Sequence, residues 1–261
     1  MQWAGIPYPR AGVWSEICDG GEELNKDLDL LMLGPLEVHG PDGLIPMGGH
    51  NARIALAALL LSANHAVATD TLVWAIWGDN PPTSAESTVQ SHISRLRHLL
   101  GHDAIILEDH SYLLQIECEQ IDACRFERLV HQAESKLGSD PTGASQDARA
   151  ALDLWRGPVL GDLGDEEFAH FEGVRLHEMR LEAVEIEMEA AVLVGRELEA
   201  VPRLQALTGE YPYRERFWHL LIKSLARVDR RIEASQAYDR YCRILEDQGF
   251  EPSFRFGELI S

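Results

Sequence analysis

The chain has 261 residues, of which 45% are hydrophobic, and this is enough material for about two domains with buried cores. No stretch is apolar over the length that a membrane-spanning helix needs, and the first 27 residues lack the apolar core of a secretory signal peptide. The formal net charge of -20 opposes nucleic-acid binding, because phosphate neutralisation supplies most of the affinity of such complexes.

The start of the chain predicts an extension followed by a small sheet. Residues 1–27 are expected to form a flexible N-terminal extension. Residues 28–38 read as extended chain interrupted by the turn signal Gly34-Pro35, and a glycine- and proline-containing loop follows at 40–43. These features predict a small antiparallel sheet.

Three helices and a hairpin are predicted after this sheet. The helices are expected at residues 53–62, 69–77 and 84–100. Pro81-Pro82 enforces a break between the second and third helices, and two β-rich runs around residues 108–111 predict a hairpin. A sheet, three helices and a hairpin in this order predict a winged helix-turn-helix domain over 28–116.

The third predicted helix has two different faces. Val89, Ile93, Leu96 and Leu100 recur at helical spacing and form an apolar stripe. The opposite face and its flanks carry hydrogen-bonding and cationic side chains, namely Ser84, Ser87, Gln90, Ser91, Ser94, Arg95, Arg97 and His98. Such groups suit base edges and phosphates in a major groove. An ordinary amphipathic surface helix has the same periodicity, so the pattern alone leaves both interpretations open.

The second half of the chain predicts helices almost throughout. An internal repeat occurs at an offset of 34 residues, which is the tetratricopeptide period, so that Arg196 corresponds to Arg230 and Ala200 to Ala234. Trp218, Tyr238 and Tyr241 are interpreted as packing residues between helices. The complete fold class is therefore mainly α, with an N-terminal winged helix-turn-helix containing small β-sheets and an all-α tetratricopeptide-like domain over 117–261.

The cysteines and acidic residues give no sign of an enzyme, a metal site or a cofactor. The four cysteines form no CxxC pair, and reduced, structural thiols are expected, including Cys118 and Cys124. Neighbouring carboxylates such as Asp165 and Glu166 are interpreted as solvated charges. Gly48-Gly49 lacks the lysine of a nucleotide-binding loop.

The predicted DNA-binding domain is itself acidic but rich in histidine. Residues 28–116 contain three basic and nine acidic side chains. Seven of the eleven histidines also lie there, and their protonation would make its potential more positive. A DNA complex needs only a local positive stripe on one face.

Several separate blocks resemble the SARP regulators, the activators of antibiotic pathways in actinobacteria. These blocks are LGPLEV at 33–38, LVWAIWGDNPP at 72–82, SRLRHLLG at 94–101, RFERLV at 125–130, LDLWRGPVLGDL at 152–163 and GFEP at 249–252. The resemblance covers about residues 28–252. It implies an OmpR-type winged helix followed by a bacterial transcriptional activation domain, with dimerisation, contacts with the transcription machinery and no catalytic activity.

Two positions depart from the family pattern in the predicted DNA-binding domain. The family's wing is usually basic and contains glycine, whereas this chain has Glu108, Asp109, His110 and Ser111 before Tyr112. The first helix of the family usually begins with several basic or amide residues, whereas here the lone Arg53 follows residues 48–52. Contact of the wing with DNA is thereby put in doubt, and one phosphate contact remains from the first helix.

The sequence therefore predicts a cytoplasmic, sequence-specific transcriptional regulator that binds double-stranded DNA as a homodimer and activates by recruiting RNA polymerase holoenzyme at promoter repeats. The competing interpretation is a protein-binding regulator whose acidic winged helix no longer binds DNA. No cofactor and no membrane partner are expected. The candidate DNA contacts are Arg53, Ser84, Ser87, Thr88, Gln90, Ser91, His92, Ser94, Arg95, Arg97, His98, His110 and Ser111.

Overall fold

The structure, a computed structural model, describes residues 27–164 and 166–259. The predicted N-terminal extension lies outside the described residues except for Asp27. The chain divides into two compact units, one holding the described residues up to 128 together with 153–179, the other holding 129–152 and the residues from 180 onward. The predicted fold class, mainly α with small sheets near the N-terminus, is confirmed.

The first unit begins with the predicted antiparallel sheet. Its strands lie in sequence order and are β1 (Asp29–Leu31), β2 (Glu37–Gly40) and β3 (Gly43–Leu44). Leu30 of β1 lies opposite Val38 of β2, and both side chains are buried. Strands β1 and β2 thus each bury one apolar side chain in the core, whereas both residues of β3 are exposed.

The winged helix-turn-helix follows, and its helices lie close to their predicted positions. They are α1 (His50–Leu61), α2 (Thr69–Trp77) and α3 (Ala85–Leu100). A second antiparallel sheet, ordered β4-β6-β5, is formed by β4 (Ala66–Ala68), β5 (Ile105–Glu108) and β6 (Ser111–Leu114). The hairpin of β5 and β6 is confirmed. Strand β4 was not predicted, because three residues between two helices carry too little periodicity to recognise.

A buried carboxylate connects the first sheet to the next helix, α4 (Asp122–Lys136). Asp122 is 1% exposed, and its two carboxylate oxygens accept the backbone N–H groups of Met32 at 2.8 Å and Leu33 at 2.9 Å. Burial raises the pKa of Asp122, while these two amides and the nearby Arg156 and Arg125 act in the opposite direction. The turn between β1 and β2 is therefore held by the first residue of α4.

The glycine-containing loop at residues 156–164 packs against the same turn. The backbone amides of Arg156 and Leu160 donate to the carbonyls of Leu33 at 2.7 Å and Met32 at 2.8 Å. A methyl group at Gly34 would lie 2.8 Å from Cβ of Arg156, so a side chain has no room there. The separated sequence blocks that contain Gly34 and Arg156 are thus in direct contact.

Cys118 and Cys124 form a disulfide, so the expectation of reduced thiols is wrong for this pair. Their Cα atoms lie 5.4 Å apart, which is a usual separation for disulfides. Both are buried and bracket a 3-10 turn (Cys118–Gln120) and the start of α4. Spacing along the sequence did not reveal the pair, because a turn brings together residues that have no recognised motif. Cys242 is a free cysteine.

Helices make up the rest of the chain. They are α5 (Pro141–Asp153), α6 (Glu167–Leu193), α7 (Glu197–Glu210), α8 (Glu215–Arg227), α9 (Arg231–Glu246) and the short α10 (Phe256–Leu259). The predicted repeat corresponds to α7 and α9, which begin 34 residues apart. Within the described residues, no helix combines the length and the apolar character needed to cross a membrane.

The core of the second unit is aromatic and aliphatic. Trp218 and Tyr241 are buried with their ring centroids 5.8 Å apart, and Tyr238 packs against this core. The indole N–H of Trp218 donates to the carbonyl of Pro212 at 2.9 Å, so its polar atom is satisfied. The prediction that these aromatic residues serve packing is confirmed.

Replacing Asp122 with alanine removes the acceptor from two backbone amides. We expect the free energy of unfolding to fall by about 2–5 kcal/mol, since each unsatisfied buried group costs about 1–3 kcal/mol. The matched control is Asp29→Ala, which removes a half-exposed carboxylate 2.6 Å from Arg125. It should cost no more than about 1 kcal/mol. Urea denaturation followed by circular dichroism measures both, and equal small losses would contradict this account of Asp122.

The disulfide closes a short loop, and its loss is expected to lower the free energy of unfolding by about 2 kcal/mol. Cys118→Ser should reproduce the destabilisation that a reductant causes in the wild type, and a reductant should then have no further effect. Cys242→Ser is the control and should remain sensitive to reductant. Peptide mass spectrometry after alkylation checks the linkage directly, and free thiols at both 118 and 124 in protein purified without reductant would count against it.

Candidate nucleic-acid interface

Helix α3 presents the face that the sequence predicts. Its apolar stripe of Val89, Ile93, Leu96 and Leu100 is at most 3% exposed, so this side packs on the core of the winged helix. Gly101 ends the helix with a φ of 112°, a backbone conformation that favours glycine. Burial of one stripe fixes the rotation of the helix and leaves the opposite side facing solvent.

Most of the candidate contacts lie together on that outer side. Those with exposed side chains are Ser84, Ser87, Gln90, Ser91, Ser94, Arg95 and His98. Thr88, His92 and Arg97 are partly buried at its edges. The structure thus gathers ten of the predicted residues on one helix and its N-cap, Ser84, where a single major groove can contact several of them.

Three of the hydroxyl groups on this face are already hydrogen-bonded within the helix. Ser87 and Thr88 both donate to the carbonyl of Ser84 at 2.9 Å, and Ser91 donates to the carbonyl of Ser87 at 2.9 Å. Such bonds to the preceding turn are common for serine and threonine in helices. They use the hydroxyl hydrogen and leave the oxygen lone pairs open toward solvent.

Arg97 has a structural contact that sequence reasoning missed. Its Nε donates to the carbonyl of Ile105 in β5 at 2.8 Å. The side chain therefore connects the end of α3 to the wing. No pattern in the sequence reveals this bond, because its acceptor is a backbone oxygen in another element.

Arg95 lies over the loop that precedes α1. A methyl group at Gly48 would lie only 2.9 Å from Nη1 of Arg95, so the guanidinium lies directly above this glycine. Gly48 has a φ of 93°, and Arg53 lies in the first turn of α1 just beyond it. The positive end of the α1 dipole is at the same place, and it favours anions. Gly48 thus belongs to this surface, although the sequence did not predict it as a residue of the site.

An acidic side chain also lies at the start of α1. Nε2 of His50 is 3.6 Å from Oε1 of Glu166, and both groups are substantially exposed. Glu166 precedes α6 in the sequence and belongs to the same compact unit. The local potential here therefore combines arginine, a helix N-terminus and a carboxylate.

The tip of the wing is a two-residue turn with an unusual backbone. Asp109 and His110 have φ values of 41° and 64°, which match the positive φ angles that tight hairpins require. The carbonyl of His110 accepts both the backbone N–H of Thr69 at 3.0 Å and its hydroxyl at 2.8 Å. Thr69, the first residue of α2, was not among the predicted residues, and it fixes the wing tip against the helix-turn-helix.

The remaining two candidates lie in this wing and not on α3. His110 is exposed at the tip, and Ser111 is partly buried where β6 pairs with β4 and β5. Glu108 and Asp109 beside them are exposed. A phosphate approaching the tip therefore meets two carboxylates near His110.

This architecture, with an exposed polar helix and a β-hairpin held beside it, defines a winged helix-turn-helix regulator. Two family models match the chain: "Transcriptional regulatory protein, C terminal" at residues 49–111 and "Bacterial transcriptional activator domain" at residues 121–261. The chain belongs to the SARP family of transcriptional regulators. The resemblance inferred from the sequence blocks is thereby confirmed.

Similar proteins include named transcriptional regulators of actinobacteria. RedD of Streptomyces coelicolor is 34% identical over 234 residues, which are 86% of this chain and 67% of RedD. MoaR1 of Mycobacterium tuberculosis is 34% identical over 258 residues, covering 95% of this chain and 80% of MoaR1.

A solved structure is also similar. The structure of Mycobacterium tuberculosis EmbR in complex with a low affinity phosphopeptide matches with a TM-score of 0.83 and 33% identity, over 90% of this chain and 64% of that one. The chain thus spans about two thirds of the length of RedD and EmbR.

His92 is expected to make stability fall in acid. Burial, followed by the positive charge of Arg95, lowers the pKa of His92, and its Nε2 is buried without a hydrogen-bond partner in the described part of the chain. The unfolded chain, with a histidine pKa of about 6.5, therefore binds the proton more readily than the folded state. Stability is then full above that pH and is lost as the pH falls toward the lowered pKa.

Comparison of the wild type with His92→Gln tests this expectation. Between pH 7.5 and 5.5, values about one unit on either side of the ordinary histidine pKa, the melting temperature of the wild type should fall further than that of the variant. His219 has its pKa lowered by burial too, so the variant should keep part of the acid sensitivity. Identical pH dependence in both proteins would show that His92 titrates alike in the folded and unfolded states.

Proposed function

We propose that this chain is a sequence-specific DNA-binding activator whose helix α3 enters the major groove. The observation that carries the proposal is the outer face of α3, where hydroxyls, an amide and Arg95 lie together opposite a fully buried apolar stripe. A helix of 16 residues is about 24 Å long, so its exposed face can span several base pairs.

Phosphate contacts in this proposal come from the start of α1. Arg53 and the adjacent helix N-terminus supply the attraction, and Arg95 over Gly48 is placed to contact either a phosphate or a base. Arg97 acts mainly through its bond to Ile105, with its outer nitrogens near the DNA backbone. Because residues 28–116 contain only these three basic side chains, we expect a shallow dependence of affinity on salt.

The domain boundaries, the oligomeric state and the protein partner that we propose are those that the SARP family implies. We propose residues 28–116 as the DNA-binding domain and 117–261 as the activation domain, with a homodimer at promoter repeats and RNA polymerase holoenzyme as the partner. The proposed location is the cytoplasm, and no catalytic activity is part of the proposal. Support comes from the two family matches and from relatives named as transcriptional regulators.

Selection of DNA from a random duplex library, followed by binding measurements, tests the proposal. We expect the wild type to enrich one repeated motif. Arg95→Ala should weaken binding to that motif by about 1–3 kcal/mol with relaxed preference at one position if Arg95 contacts a guanine. A uniform loss over all sequences would assign Arg95 to a phosphate.

Arg231→Ala is the control for the loss of one positive charge. Arg231 is exposed in the second unit and should leave the selected motif and the affinity unchanged. If the wild type enriches no motif at low salt, DNA reading by α3 is ruled out, and the chain acts as a winged-helix scaffold for protein partners.

A further inference from the structure

The hydrogen bonds of the α3 hydroxyl groups indicate which kind of DNA group each hydroxyl can contact. Serine and threonine hydroxyls have one hydrogen to donate and two lone pairs that accept. A hydroxyl that makes no bond within the helix can contact acceptors and donors alike. Here three of them have their hydrogen committed to the helix backbone.

Ser91 is the most informative of the three. It lies in the middle of the outer face, is exposed, and donates to the carbonyl of Ser87 at 2.9 Å. To donate to DNA it has to break this bond, and one neutral hydrogen bond is worth about threefold to tenfold in an equilibrium constant. To accept from DNA it changes nothing, because its lone pairs already face outward.

We infer that Ser91 meets DNA as a hydrogen-bond acceptor, and that its partner is the exocyclic amino group of an adenine or a cytosine in the major groove. Adenine N6 and cytosine N4 are the donors on the major-groove edge, whereas N7, O6 and O4 are acceptors. Phosphate oxygens are acceptors as well, so a hydroxyl already committed as a donor does not suit them. The inference rests on the proposed function, since it assumes that α3 enters the major groove.

The position of Arg95 on α3 relates the Ser91 contact to a second possible contact with DNA. Arg95 lies four residues beyond Ser91, which is about 6 Å along the helix axis. Base pairs are about 3.4 Å apart, so Ser91 and Arg95 are close enough to contact the same binding site on DNA. Arg95 is a donor only, and the two residues therefore read groups of opposite kind.

Ser94 supplies a matched comparison on the same face. Its side chain is exposed and makes no hydrogen bond within the described residues, so its hydroxyl is free to donate. Thr88 shows that threonine on this helix forms the same bond to the preceding turn, with a length of 2.9 Å. Ser91→Thr therefore keeps the acceptor and the committed hydrogen.

A cycle of protein and DNA changes tests the inference with the full chain. The motif selected by the wild type is compared with that selected by Ser91→Ala, and the base pair whose preference relaxes is identified. In that pair 2-aminopurine replaces adenine, or 2-pyrimidinone replaces cytosine, to remove the amino group from the major groove. A 7-deazapurine in the same pair removes an acceptor and is the control.

Loss of the amino group should weaken binding of the wild type by about threefold to tenfold and should not weaken Ser91→Ala any further. The 7-deazapurine should affect both proteins equally. Ser91→Thr should keep the wild-type preference at that base pair. Ser94→Ala should also leave the preference at that base pair unchanged.

Two results would overturn the inference while leaving the proposed function intact. One is a uniform loss of affinity over all sequences in Ser91→Ala, which indicates a hydroxyl donating to phosphate. The other is coupling of Ser91 to the 7-deazapurine instead of to the amino group. Failure of the wild type to select any motif, in contrast, removes the proposed function and this inference together.

Discussion

The carboxylate of Asp122 is the contact on which the first unit depends. It accepts the amides of Met32 and Leu33, while the carbonyls of the same two residues accept the amides of Leu160 and Arg156. Met32 and Leu33 thus each have their backbone N–H and C=O bonded to residues about 90 to 130 positions further along the chain. The turn that joins β1 to β2 is therefore held both by α4 and by the loop before α6.

Winged-helix geometry is fixed by separate and more local contacts. The buried stripe of α3 sets the rotation of the helix, Arg97 connects its end to β5, and Thr69 holds the tip of the wing through His110. Each contact joins two elements that border the outer face of α3. These contacts hold the elements around the face in one arrangement, and preorganisation of this kind reduces the entropy lost on binding.

Local patterns predicted most of this architecture, and long-range contacts account for what they missed. The stripe from Val89 to Leu100 and the hairpin around Asp109 are visible because periodicity and turn residues act over a few positions. Strand β4 is too short to carry a pattern, and the pairing of Cys118 with Cys124 depends on a turn of no recognised motif. For Arg97, the residue type predicted a DNA contact, but its acceptor at Ile105 is a backbone oxygen that sequence cannot reveal.

The acidic charge of the winged helix bears on how such a protein discriminates among sequences. Binding through phosphates alone is nearly independent of sequence, and each cation added to the surface raises affinity for all DNA. With three basic side chains in residues 28–116 and carboxylates at the wing tip, nonspecific attraction is weak. In the proposed complex, contacts to base edges then supply a larger share of the binding free energy. The outer face of α3 is composed mainly of hydroxyls, three of which have their hydrogens bonded within the helix. Such a face suits this proposal because hydroxyls add selectivity without adding charge.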